Sequence, residues 1–128
     1  MGRAAILVIA TLGLLTAAGA VAAPRVHYRV PYGDVVVKPQ RIEFSDLTIR
    51  KIRWRDWGAR EARGRGRTRG NTCVPSCANG EIVHGTAKLR MFRRHREGRR
   101  RFYGCMTGRV RAGGTSSRIE WPPGCRRR

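Results

Sequence analysis

The sequence predicts an all-β domain: a small sandwich or barrel-like antiparallel body of six or seven short strands, preceded by a signal-peptide helix. Three observations carry that prediction. Beyond the N-terminal leader, apolar or small residues recur at every second position in successive runs, with Gly, Pro, Asn and Asp between them. No run there shows the spacing of an amphipathic helix. Four cysteines, an even number, follow a leader-like N-terminus, so two disulfides are expected to staple the body.

The leader comes first. Met1-Gly2-Arg3 supplies one positive charge, Ala4 to Val21 is uncharged and apolar, and Ala20-Val21-Ala22 fits the small-x-small pattern of a signal-peptidase site. The apolar run is close to the ~20 residues of a spanning helix. Its Gly, Thr and Ala content and the cleavage pattern favour removal after Ala22. Residues 1–22 then form a signal peptide, and 23–128 form one secreted domain with a 33–121 core and a 122–128 basic tail. A domain this small buries only about two-thirds of its unfolded surface, which makes covalent staples useful.

Arg25 to Gly33 reads as a loosely held lead-in ending in a Tyr32-Gly33-Asp34 turn. Val35-Val36-Val37 is β-branched, and Pro39 confines it to an edge or a strand end. Ile42 and Phe44 alternate inward. Leu47 and Ile49 then share one parity, and Ile52 and Trp54 share the other. A β-bulge near Arg50-Lys51 would restore a common face, a break between two strands being the alternative.

Ala62, Gly64, Gly66, Thr68 and Gly70 interleave with Arg63, Arg65, Arg67 and Arg69. As a strand, this puts four arginines on one face, roughly 6.6 to 7 Å apart. The small face would admit a neighbouring sheet or the tryptophans, while a flexible Gly/Arg loop is the competing reading. Val83, Gly85, Ala87, Leu89 and Met91 predict a long half-buried strand. Arg93, Arg94, Arg96, Arg99, Arg100 and Arg101, with His95 and Gly98, read as a charged hairpin connection. Phe102, Gly104, Met106, Gly108 and Val110 share the next inward parity, with Cys105 outward. Ile119 and Trp121 add a last short strand before Pro122-Pro123-Gly124.

Cys73 and Cys77 would lie about 13 Å apart in an extended strand. A disulfide tolerates only ~4.4–6.8 Å between Cα atoms, so bridging them needs the turn chemistry of Val74-Pro75-Ser76. Cys105 with Cys125 would close a loop of about twenty residues, worth on the order of 3 kcal/mol in the chain-entropy account. Four cysteines allow three connectivities, and all three stay open here. The C-x3-C spacing also suits half a zinc site, but Cys105 and Cys125 supply no second pair. No metal and no cofactor are expected.

The formal charge is +20, from 28 Lys+Arg against 8 Asp+Glu, and only Lys38, Lys51 and Lys88 are lysines. Such a field favours anionic partners: nucleic acid, wall polymer or an anionic membrane surface. No small-molecule ligand is implied. GC-rich coding would give the same Arg, Gly and Ala excess without a ligand. The anion-binding candidates are the four alternating arginines and the six between Arg93 and Arg101. His27, His84 and His95 have no ligand spacing between them, and no nucleophile elbow or phosphate loop occurs. The catalytic alternative, a small secreted nuclease or phosphodiesterase, would need Glu43 or Glu61 beside His84. In a strand Trp54 and Trp57 face opposite sides, so one could stack a base or sugar. Core packing of both suits their apolar rings better.

One cassette joins these elements: Trp54, Trp57 and Gly58; Ala62, Gly64 and Gly66; then Asn71, Cys73, Pro75, Cys77, Ala78 and Gly80. It resembles a family of small secreted actinobacterial proteins with the pattern W-x2-W-G, A-x-G-x-G and N-x-C-x-P-x-C-A-x-G. The resemblance implies a β-rich exported domain and supplies no catalytic residues. Members often carry a cysteine just before the first tryptophan strand; this chain has Cys105 and Cys125 instead.

Overall fold

The computed structural model describes residues 25–126, so the expected leader lies outside the described residues. Eight strands follow one another: β1 (Val26–Arg29), β2 (Val35–Val37), β3 (Arg41–Glu43), β4 (Leu47–Arg55), β5 (Ala62–Asn71), β6 (Ile82–Glu97), β7 (Arg100–Ala112) and β8 (Thr115–Trp121). Among the described residues there is no helix. The all-β prediction holds, and of its two forms the barrel-like one is realised, as a single curled sheet. It has eight strands rather than six or seven, two of them long, and is mixed rather than purely antiparallel because β1 pairs β7 in parallel.

The sheet order is β2-β1-β7-β6-β5-β4-β3, with β8 also on β7. One edge of β7 is shared. Its first residues pair β1 in parallel, and the stretch from Met106 to Ala112 pairs β8. The two outermost strands, β2 and β3, are consecutive in the chain and joined only by Lys38, Pro39 and Gln40. That link is fastened to β4: Trp54 Nε1 donates to the Pro39 carbonyl at 2.6 Å, and the Ile52 amide to the Gln40 carbonyl at 3.1 Å. The half-barrel is therefore closed by the covalent chain where no strand ladder closes it.

The bulge lies where the parity slip predicts it. The β4–β5 register shifts between Arg50 and Arg53, and Lys51 takes φ 53°. This puts Ile49, Ile52 and Trp54 on one inner face with Val26, Tyr28, Ile42, Leu89 and Met91. β5 is a strand, not a loop, and its small residues are what make the approach possible. A Cβ on Gly64 would sit 2.8 Å from the Trp54 ring, and one on Gly66 2.8 Å from Ile49 Cγ2.

Three further expectations are corrected. Residues 25–33 are not a loose lead-in. Val26 and Tyr28 are fully buried, so the core begins before residue 33. Residues 122–126 of the expected tail are not simply a tail, because Cys125 is buried against Phe92 and Cys105 on the outer side of the sheet. The inward parity of β7 also fails at its start. Tyr103 and Met106, three apart, share the inner core, so Phe102 and Gly104 turn outward. The switch falls where Gly104 lies against the backbone carbonyl of Arg93, whose φ is 55°. Tyr103 takes the inner place because its hydroxyl finds partners there, accepting from the Gly58 amide at 2.9 Å and donating to the Ala59 carbonyl at 2.6 Å.

Candidate functional site

The cassette turns out to be scaffold. Trp54 and Trp57 meet edge to face at 4.9 Å, and Trp57 meets Tyr103 at 5.1 Å. They do not face opposite sides, because β4 ends at Arg55 and Asp56, at φ 56°, turns the chain back. Trp57 Nε1 donates to the Val26 carbonyl at 3.0 Å, and Gly58, at φ 97°, presents its amide to Tyr103. Neither tryptophan is available to stack a ligand.

Both disulfides are present: Cys73–Cys77, with Cα atoms 3.8 Å apart, and Cys105–Cys125, at 5.6 Å. Asn71 organises the first. Its Oδ1 accepts from the Cys73 amide at 2.9 Å, and its Nδ2 donates to the Cys77 carbonyl at 2.7 Å. Gly80 lies against the Asn71 side chain with no room for a Cβ, and Pro75 forms the exposed tip. The second bridge fastens the C-terminal segment across the outer face.

That outer face is the candidate site. The strand registers align Arg53, Arg65, Lys88, Arg109 and Arg118 directly across β4, β5, β6, β7 and β8. Strands lie about 4.8 Å apart, so five cations occupy a row about 19 Å long. A flanking row reads Arg55, Arg63, Arg90, Thr107, Glu120; the other reads Arg50, Arg67, Thr86, Arg111, Ser116. Arg69 stands beyond, opposite His84. All five cations of the central row are exposed, and among the described residues none has an ion-pair partner. Like charges set opposite one another repel and weaken a sheet. The face therefore gains from any counter-anion, and guanidinium is the group best shaped to take phosphate two oxygens at a time.

A groove of about 960 Å³ runs over this face, lined by nine basic and two acidic side chains and bounded at one end by Cys125 and Arg126. Of the four alternating arginines, Arg63 and Arg65 line it, while Arg67 and Arg69 extend the charge beyond it.

The six arginines from Arg93 to Arg101 are elsewhere and differently employed. Five of them lie within β6 and β7, and Arg99 forms, with Gly98, the connection between those strands. Arg94 donates to the Gly58 carbonyl at 2.6 Å, and Arg93 to the Arg126 carbonyl at 3.0 Å. Glu97 accepts from Arg29 at 2.7 Å and contacts His95 Nε2 at 3.0 Å. The His95 hydrogen bond holds the Glu97 carboxyl below its usual pKa. The same bond, with the Arg93 carbonyl, raises the imidazole of His95. Burial raises the Tyr28 and Tyr103 phenols.

The catalytic trio does not assemble. Glu43 pairs with Arg41 and Glu61 with Arg90. His84 faces Arg69, eight residues along β5 from Glu61, on the order of 26 Å at strand rise. Glu43 and His84 are three strand spacings apart, about 14 Å. Among the described residues no three His, Cys, Asp or Glu side chains form a metal-sized cluster.

Comparison with family models, curated proteins and solved structures finds no match for the chain, so the cationic face is read from its own geometry. Arg53, Lys88, Arg109 and Arg118 escape a reading along the chain because they line up only across strands. Their signal in the sequence is parity. Each occupies the non-core parity of its own strand.

Proposed function

We propose that this is an exported, non-enzymatic envelope module that binds an anionic polymer on the outer face of its sheet. The observation that carries the reading is the row Arg53–Arg65–Lys88–Arg109–Arg118, five facing cations without internal counter-charge. Export is supported by the leader pattern of residues 1–22, by two disulfides suited to an oxidising compartment, and by the cassette's resemblance to small secreted actinobacterial proteins. Arginine-rich composition from GC-rich coding alone would place charge without regard to strand register. It gives no reason for five cations to share one register.

Binding of a fluorescent oligonucleotide across a salt series tests the proposal. The triple variant R65Q/K88Q/R109Q removes three central charges, and R96Q/R99Q/R100Q removes three from the hairpin. Phosphate contacts release counterions at roughly 0.7 to 0.9 per contact, so the first variant should flatten the log–log salt slope by about 2 to 3. The second should leave the slope almost unchanged. Equal flattening by both would make the binding a property of net charge and would end the assignment to this face.

A further inference from the structure

Given that reading, we propose that the ligand is an extended phosphodiester chain lying across the strands, along the Arg53–Arg118 row, and held by its phosphates alone. Two directions of continuous charge exist on the face. One runs along β5 through Arg63, Arg65, Arg67 and Arg69; the other crosses five strands. The groove selects the second. It takes in the central row and the row ending in Glu120, and it stops short of Arg67 and Arg69. A chain fits a groove of this kind, and a flat bilayer does not.

Recognition by phosphate follows from what the face presents. Its side chains are mostly guanidinium groups, with one ammonium, the hydroxyls of Thr86, Thr107 and Ser116, and the carboxylates of Asp56 and Glu120 at the groove. Stacking of bases needs exposed rings. Trp54 and Trp57 are turned into the core cluster, and Phe92 is 6% exposed beneath Cys105 and Cys125. Of the two carboxylates lining the groove, Glu120 is already engaged: it accepts from the Gly124 amide at 3.1 Å and pairs with Arg126 at 3.8 Å. The substituents of the bound chain therefore point away from the protein, and the face does not distinguish them.

The experiment uses the disulfide-intact protein at low salt with three probes: an abasic deoxyribose-phosphate oligomer, an oligothymidylate of equal length, and vesicles containing phosphatidylglycerol. The two oligomers should bind within about threefold of each other. A stacked base is worth about fivefold or more, so a preference for oligothymidylate of that size would overturn recognition by phosphate alone. R109Q/R118Q should weaken both oligomers more than R67Q/R69Q does. The reverse order would overturn the crosswise path. Binding to vesicles but to neither oligomer would overturn the chain and leave the anionic reading standing, whereas binding to no probe would end that reading too.

Discussion

Arg65 and Arg94 lie in neighbouring strands of one sheet, both exposed, yet they sit in opposite kinds of surroundings. Arg65 faces Arg53 on one side and Lys88 on the other. Arg94 reaches the Gly58 carbonyl, and two nearby arginines, Arg93 and Arg29, are occupied as well. Arg93 holds the C-terminal segment through the Arg126 carbonyl, and Arg29 both pairs with Glu97 and lies 4.9 Å over the Phe102 ring. Arg93 and Arg94 fasten the C-terminal segment and the Gly58 loop to the sheet, and Arg29 fastens β1 to it through Glu97. Those of the central row fasten nothing and crowd one another. The same residue type stabilises one region and burdens the other, and strand register decides which.

The largest stability effect separating the regions should come from Arg94→Ala. It removes a charged donor at 2.6 Å from the Gly58 carbonyl, beside the Gly58–Tyr103 contact. A lost hydrogen bond of this kind costs about 1 to 2 kcal/mol, and its exposure keeps the figure at the lower end. Arg65→Ala should go the other way by a few tenths of a kcal/mol, because it relieves two like-charge neighbours. Denaturant midpoints of the two variants at low salt measure both. A loss for Arg65→Ala as large as that for Arg94→Ala would erase the distinction. Added salt should shrink the Arg65→Ala gain, since the repulsion behind it is screened.

How far this contrast could be read beforehand depends on the range of the signal. Alternation along one strand is local, so the β5 face, the bulge at Arg50-Lys51 and the inward run through Leu89 and Met91 were legible. The turn that Val74-Pro75-Ser76 makes possible was legible for the same reason. What depends on partners distant in sequence was not. β1 is held by a parallel pairing with residues 101–103, and only that contact turns Val26 and Tyr28 from a polar-looking lead-in into core. Phe102 and Tyr103 are nearly equal in apolar character. The choice between them rests on the Gly58 and Ala59 backbone, more than forty residues upstream. The five-cation row is the extreme case. Apart from Arg65, each member is one isolated outward residue, and the site exists only when four registers are superimposed.

The smallest effect concerns pH and again falls on the hairpin side. Glu97 links Arg29 of β1 to His95 of β6. Because His95 is raised above its ordinary 6.5 on folding, its contribution is complete below that value and is lost as pH rises through the raised pKa. Glu97 is lowered from its ordinary 4.5, so its contribution is complete above that value and is lost as pH falls through the lowered pKa. The contact is therefore at full strength in the window between the two ordinary values. Both groups are solvent-exposed, so the change is small and screened by salt. In wild-type protein the denaturation midpoint should fall slightly on leaving that window in either direction, and Glu97→Gln should remove the acid-side fall and reduce the fall at higher pH to the part owed to the Arg93 carbonyl. Arg65→Ala should leave the pH profile unaltered. A pH profile unaffected by Glu97→Gln would show that this ion-pair cluster does not help hold β1 in place. The parallel ladder to residues 101–103 and the Trp57–Val26 hydrogen bond would then be left as its anchors.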